Sequence, residues 1–554
     1  MYRTTLCLCT VMVVAAIGAA AEEPQLAPFP IDWRADAASP VDLSGLLDAP
    51  AGKDGFVRIA EGHLARPDGK RLRIWGVNVS AAAAVPSPQS ARLVAARLAR
   101  LGINGVRFHF FDRPVPRGII DNTRNDTRAI DPEQLDRLDR FIAELKKRGI
   151  YTNLNLNVAR GYKAGDGVAD HELLGFAKAL TYFDPRLIEL QKEYARLLLT
   201  HRNPYTGNEY RHEPAVAIVE LVNENSLVEA WVNNRLVGKN TTKYPGTWTD
   251  IPASYEKTLT QKYQAWLKQR LSAEELAELR KAAGISPGEP IPRMRRENLA
   301  DAPQKRLFTE ATFYMEIERQ YFQDMDRYLK QELGVKSLLV GSSDHSHYRS
   351  GYPHLASISL LDVVDGHVYW QHPRYTRDPK TGKTIGFWIG NSPMVDDPLH
   401  STVVQLSRSA VAGKPYTVSE VNHLRGQRFE AGESGRGNSH PVLCRHAWRP
   451  GRPADRVVRT ASADGRRPCG QCGYAARLGA PHAGGLGTQR GVHRTGARQR
   501  AAPQSGCGEW RCGSAVGRQR PPAGIGDLRQ AIRRRLGFPV GNPPTTWYVV
   551  SVAR

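Results

Sequence analysis

Two glutamates stand at the ends of apolar runs, where a side chain can emerge from a strand and still be held rigidly. Glu224 closes the run AVAIVELVNE that begins at Ala215, and Glu420 closes KPYTVSE, which begins at Lys414. Breaking a glycosidic bond takes two carboxyl groups flanking the anomeric carbon, one to protonate the leaving oxygen and one to attack or to activate water. Glu224 and Glu420 are the candidate catalytic pair. Glu220 competes with Glu224 because the two share strand parity, but it lies about 13 Å deeper at roughly 3.3 Å per residue. It reads as the buried partner of an arginine.

Other residue types carry weaker signals. Asp344, His345 and His347, with His354 nearby, have a spacing that resembles a metal-ligand set; the position after a strand favours substrate contact or ordinary loop chemistry, and no metal is assigned. Trp231, Trp248, Trp370 and Trp388 could stack on the apolar face of a sugar ring. Trp370 is the preferred platform, and packing is the expected role of the others. The sequence has neither a phosphate-binding glycine motif nor a dinucleotide fingerprint, and no cofactor is expected.

The elements that must position these groups alternate between short apolar strands and amphipathic helices, the pattern of a parallel sheet wrapped by helices. Strands are expected at residues 71–78, 105–112, 150–158, 215–222, 337–342, 361–369 and 414–422, with helices at 87–100, 131–148, 184–200, 309–333 and 401–411. The fold class is α/β, a (β/α)8 TIM barrel that is incomplete, with seven recognisable β/α units and no visible eighth strand. Glu224 and Glu420 then end strands four and seven, on the face where such barrels build their sites. The barrel domain is placed at 66–423 after a lead-in at 22–65, with an insertion at 232–303 following strand four. That insertion reads equally as part of the site or as surface decoration.

With an Asn-Glu pair after strand four and a Glu ending strand seven, the sequence resembles the clan A glycoside hydrolases, especially the cellulase-like families related to family 5. The resemblance spans roughly Arg71 to His423. It implies a retaining mechanism, with Glu224 as acid/base and Glu420 as nucleophile, and carboxyl groups about 5 to 5.5 Å apart rather than near 9 Å. It also implies that Arg107 sits beside the nucleophile, that His367 and Tyr369 lie near the nucleophile and the sugar, and that Asn223 contacts the hydroxyl next to the anomeric carbon. His109 alternates with Arg107 on one strand face and is expected to point the same way. Relatives usually end strand three with His where this chain has Asn157, which can still hydrogen-bond a sugar. Arg107 could equally serve a structural ion pair, and His367 and Tyr369 could simply be packed.

Composition separates the ends from this body. Arg3 precedes an apolar stretch from Leu6 to Ile17 that ends in Ala19-Ala20-Ala21, so residues 1–21 read as a secretory signal and the mature chain as secreted or periplasmic. No membrane association is expected after cleavage. All cysteines outside that signal follow His423, so the body cannot use thiolate chemistry. The net charge is +22, but residues 424–554 hold 23 Arg and no Lys against three Asp and three Glu, hence +17 of it. Specific nucleic-acid binding by the body is not expected. The tail at 424–554 loses all periodicity and reads either as a disordered Arg/Gly segment that binds polyanions or as out-of-frame translation of a GC-rich gene; the abrupt change without a linker favours the latter. The expected function is therefore a retaining hydrolase of a β-linked polysaccharide or oligosaccharide. The alternatives are an inactive frameshifted enzyme and a non-catalytic exported carbohydrate- or polyanion-binding protein.

Overall fold

The computed structural model describes residues 42–370, 374–379, 381, 384–388, 397–423 and 428–430. The expected signal and nearly all of the expected tail lie outside the described residues. A short antiparallel hairpin, β1 (Arg58–Ala60) and β2 (His63–Ala65), precedes the barrel strands β3 (Gly76–Ser80), β4 (Gly105–His109), β5 (Tyr151–Asn155), β6 (Val216–Glu220), β7 (Leu338–Asp344) and β8 (Val363–Trp370). After β8 come β9 (Arg374–Arg377) and β10 (Thr384–Trp388), then β11 (Tyr416–His423) and β12 (Arg428–Glu430). The main sheet is parallel, with order β11-β8-β7-β6-β5-β4-β3. Its seven strands are the seven β/α units expected, and among the described residues no eighth strand joins them.

The sheet curls almost closed. Asn78 on β3 donates from its amide nitrogen to the carbonyl of Ser419 on β11 at 2.8 Å, so a side chain crosses the seam between the two edges. At the opposite end from the candidate glutamates, Ala51, Val57 and Leu64 pack with Tyr151, Ala217, Leu338 and Val363 at the N-terminal ends of the strands. The segment before the barrel thus seals its base with apolar surface.

The first three helices share one local device. In α1 (Pro88–Arg100), α2 (Pro132–Lys147) and α3 (Pro185–Leu199) a Ser or Asp cap accepts a backbone N–H of the first turn and a proline occupies the first helical position. Proline's missing N–H costs nothing there, and its fixed φ suits the helix. Their apolar stripes face the outward side chains of the strands: Phe108 of β4 meets Phe141 of α2 edge-on at 5.6 Å between ring centroids. Burying side chains of this kind contributes about 1.5 to 3 kcal/mol each.

After β6 come the short α4 (Leu227–Val232) and the insertion, which contains two helices, α5 (Ala253–Arg270) and α6 (Ala273–Ala283). Ser272 and Glu275 form a capping box that starts the second helix and so ends the first. The long α7 (Gln304–Arg327), then α8 (His347–Ile358) and α9 (Thr402–Ser407), complete the set. Among the described residues no helix is long and apolar enough to cross a membrane.

Several boundaries differ from expectation. The second barrel strand stops at His109 instead of residue 112 because Phe110 takes a φ of +57°, which breaks the extended ladder. The first begins at Gly76, and residue 71 belongs to an isolated bridge with Ala65 outside that strand. The segment with metal-like spacing is largely the helix α8, with Pro353 and a left-handed Gly351 inside it, features that mask helical periodicity. The backbone at 428–430, inside the expected tail, pairs antiparallel with β10.

Candidate active site

Alternation along β4 divides its side chains: Val106 and Phe108 belong to the outer core, while Arg107 and His109 face the barrel interior. Arg107 is the hub. Its Nε and Nη2 donate to the two oxygens of Glu220 at 2.7 and 2.8 Å, Nη2 also to Asn223 Oδ1 at 2.8 Å, and Nη1 to Glu420 Oε1 at 2.9 Å and Asn78 Oδ1 at 3.3 Å. All five guanidinium N–H groups are therefore used. Glu220 is the buried arginine partner, and Glu420 shares the same cation.

Glu420 lies across β11 from His367 on β8, and its two oxygens are held separately. Oε1 takes Arg107 and lies 3.4 Å from His109 Nε2; Oε2 accepts from Tyr369 Oη at 2.5 Å and lies 3.8 Å from His367 Nδ1. Burial opposes its charge, but the His367 imidazolium and the Arg107 guanidinium outweigh burial and hold the carboxyl down to about 2. A carboxylate kept ionised and hydrogen-bonded in this way has the character of a nucleophile. His109 is pushed down by burial and by Arg107, so it is neutral.

Glu224 is held differently. It follows the end of β6 in a left-handed conformation, φ +42°, and its Oε1 meets His367 Nδ1 at 2.9 Å. The other nitrogen of His367 is 2.8 Å from Ser419 Oγ and 3.3 Å from Asp365 Oδ2. Burial works against charge on this ring, but Glu420, Asp365 and Glu224 raise it to about 10. Both nitrogens then carry protons, and one points at Glu224. Burial raises the Glu224 carboxyl while the charges of His345 and His367, with Lys178, lower it further.

Glu224, His367 and Glu420 bring their ligand-type atoms within 4.8 Å of one another, and an imidazolium among them leaves no ring lone pair for a metal. Asp344 accepts from His347 at 2.6 Å, from Ser350 at 2.9 Å and from Ser409 at 2.7 Å, whereas His345 pairs with Glu229 at 3.0 Å and His354 with Glu318 at 3.0 Å. The three histidines of that segment therefore serve three different carboxylates.

The structure brings Glu224, Glu420, Arg107, His109, Asn223, His367 and Tyr369 together. It does not bring the side chain of Asn157, which lies just past the end of β5 and donates to Gln191 on α3 at 3.1 Å. Two residues earlier, Asn155 is fully buried and meets His109 Nδ1 at 3.4 Å. Trp370 ends β8 half-buried, one residue out of phase with His367 and Tyr369 and so on the other strand face. Trp231 is buried and donates to Met294 O at 2.9 Å, and Trp388 is 48 % exposed. Trp248 has a stacked His345 ring at 5.2 Å and the cations of Arg235 and Lys178 at 4.7 and 4.9 Å.

Lys178 escaped the sequence reading. It sits in a loop without periodicity, and its ammonium donates to the carbonyls of Asn223 and Glu224. No sequence pattern marks a side chain whose partners are backbone atoms.

No protein-family model matches the chain. It is 30 % identical over 112 residues to mannan endo-1,4-beta-mannosidase 2 of Arabidopsis thaliana, a stretch covering 17 % of this chain and 25 % of that protein. It is 33 % identical over 95 residues to mannan endo-1,4-beta-mannosidase 5 of the same plant, 16 % and 22 % of the two chains. The match thus spans about a quarter of the length of these relatives. Among solved structures it is similar to an endo-1,4-beta-mannanase from Rhizomucor miehei, with 17 % identity, 65 % of this chain and 80 % of that one covered, and a TM-score of 0.38. The chain is a nearly closed parallel α/β barrel, and in its Asn-Glu pair after the fourth strand, its Glu on the seventh and this mannosidase-like stretch it is similar to the clan A, cellulase-like hydrolases related to family 5.

Proposed function

We propose that the chain is a retaining β-glycoside hydrolase in which Glu420 attacks the anomeric carbon and Glu224 protonates the leaving oxygen, then removes a proton from the water that releases the sugar. The observation that carries this reading is the closeness of the two carboxylates: one oxygen of each lies within 4.8 Å of the other, around His367. Retaining enzymes need about 5 to 5.5 Å, and inverting ones about 6.5 to 9.5 Å to admit a water. Arg107 and Tyr369 keep Glu420 charged for attack. His367 supplies the proton on the other side: its Nδ1–H, 2.9 Å from Glu224 Oε1, is shared with that carboxyl, so the pair holds one proton next to the leaving group. Because Arg107 takes Asn223 Oδ1, the amide nitrogen of Asn223 is the group that would meet the hydroxyl next to the anomeric carbon.

The substrate class is a β-linked polysaccharide, and the mannan-directed relatives support mannan as the first to test. The chain acts outside the cytoplasm after loss of its N-terminal signal. Incubation with a 2-deoxy-2-fluoro β-mannosyl fluoride and peptide mapping should place the sugar on Glu420, and proton NMR of early products should show the β-anomer. Release of the α-anomer would sink the retaining reading.

A further inference from the structure

Glu224 is the one member of the catalytic pair whose backbone is strained. A non-glycine residue at φ +42° is strained and persists only where its surroundings over-determine it. The segment from Lys178 to Tyr182, between β5 and α3, supplies that over-determination. Ala179 N donates to Asn225 Oδ1 at 2.8 Å, Asn225 Nδ2 donates to Thr181 Oγ1 at 2.8 Å, and Tyr182 Oη donates to the Asn225 carbonyl at 2.6 Å. These contacts grip the residue after Glu224. Lys178 grips Glu224 itself and the residue before it, through the Asn223 carbonyl and, at 3.1 Å, the Glu224 carbonyl.

Lys178 is in turn held by the insertion. Its ammonium lies 4.9 Å from the centre of the Trp248 ring, and that ring is also covered by Arg235 and stacked on His345. A tryptophan so surrounded is a poor sugar platform. Among the described residues Lys178 forms no ion pair; its positive charge binds two carbonyls, lies on an aromatic face and helps to lower the Glu224 carboxyl.

We propose that Lys178, clamped by Trp248, is a positioning residue that holds Glu224 in the left-handed conformation aiming its carboxyl at the leaving oxygen. The inference rests on the acid role of Glu224. It gives the insertion after strand four a function in proton transfer. A lysine serving only to fill space would affect every substrate alike; one that aims the acid matters where the leaving group needs a proton. Burial pushes the ammonium down to about 8, so the clamp weakens in alkali.

The test uses the full chain with two probes, a β-1,4-manno-oligosaccharide and 2,4-dinitrophenyl β-mannoside, whose leaving group departs without protonation. Lys178→Met should lower kcat/KM for the oligosaccharide by more than about tenfold and leave that for the dinitrophenyl sugar within about threefold, because acid catalysis contributes about 10² to 10⁴. With the activated sugar, kcat and KM should fall together, since release of the enzyme-bound sugar still needs Glu224 as base. Trp248→Ala should give the same pattern, weaker.

Equal losses on both probes, or no loss on either while Glu224→Gln remains selective, would overturn the inference alone. If Glu224→Gln shows no dependence on the leaving group, or the unsubstituted chain turns over neither probe, the acid reading itself fails. Should Lys178→Met not fold, Trp248→Ala, which keeps the ammonium and removes the ring that clamps it, carries the same comparison; equal losses on both probes would overturn the proposal.

Discussion

The two carboxylates differ in how the chain holds them. Glu420 is surrounded by side chains of barrel strands: Arg107 and His109 on β4, His367 and Tyr369 on β8. Glu224 stands on a strained turn, touches one ring through its carboxyl, and is steadied through its backbone by a loop and by an inserted segment. A nucleophile needs a fixed charge, which strands deliver rigidly. A group proposed to give one proton and take one back in each turnover needs an adjustable environment, which loops can provide.

The sharpest break of this comparison is removal of each group. Glu420→Ala should lower turnover of a manno-oligosaccharide by about 10⁴-fold or more, with no recovery for activated leaving groups. Glu224→Gln should cost about 10² to 10⁴ on the same substrate, and added azide should restore product formation from the dinitrophenyl sugar as a β-mannosyl azide. Azide recovery by the Glu420 variant with retention of configuration would reverse the assignment.

Next comes the hub. Arg107→Met leaves Glu220 fully buried without its cation, and breaking a buried pair in this way costs about 3 to 5 kcal/mol. Urea unfolding should show that loss, whereas Lys178→Met, whose partners are carbonyls, should cost less. The reverse order would mean that the loop, rather than the strands, carries the stability of the site.

Titration separates the two regions further. The charge on His367 is raised to about 10 in the fold, so its contribution is fully present below about 6.5, the unfolded value, and is lost as pH rises through 10. Glu420 is lowered to about 2, so its contribution is present above about 4.3 and is lost as pH falls through 2. These two groups together favour the fold most between about pH 4.3 and 6.5. The urea midpoint should therefore fall from pH 6 to pH 9, and His367→Gln should flatten that fall. An unchanged slope in the variant would assign the alkaline loss to another group.

What could be read from the sequence follows the same division. Period-two alternation puts Arg107 with His109 and His367 with Tyr369 on one face each, so the strand-built half of the site was legible once the strands were found. Seven strands and their order were likewise legible, because Ser87-Pro88, Asp131-Pro132 and Asp184-Pro185 announce the helices between them. Lys178 and the pinning of Trp248 were not, since their partners are carbonyls and ring faces supplied by segments distant in sequence. Strand ends were blurred for a local reason: the left-handed backbone at Phe110 cuts β4 short without any glycine to signal it.

The smallest effect tests such a boundary. Asn157 and Asn155 share strand parity, and the family resemblance points to Asn157, where relatives usually have the His that ends strand three. In the structure β5 ends at Asn155; the Asn157 side chain turns to Gln191, and Asn155 meets His109 Nδ1 instead. That contact makes Nδ1 the acceptor of a neutral His109, which leaves the proton on Nε2, 3.4 Å from Glu420 Oε1. Asn155→Ala should free the ring to change tautomer and so lower kcat/KM by about tenfold, while Asn157→Ala should change it by less than about threefold. If Asn157→Ala had the larger effect, with KM rising and kcat held, the sugar would reach beyond the strand end and the expected contact with Asn157 would stand.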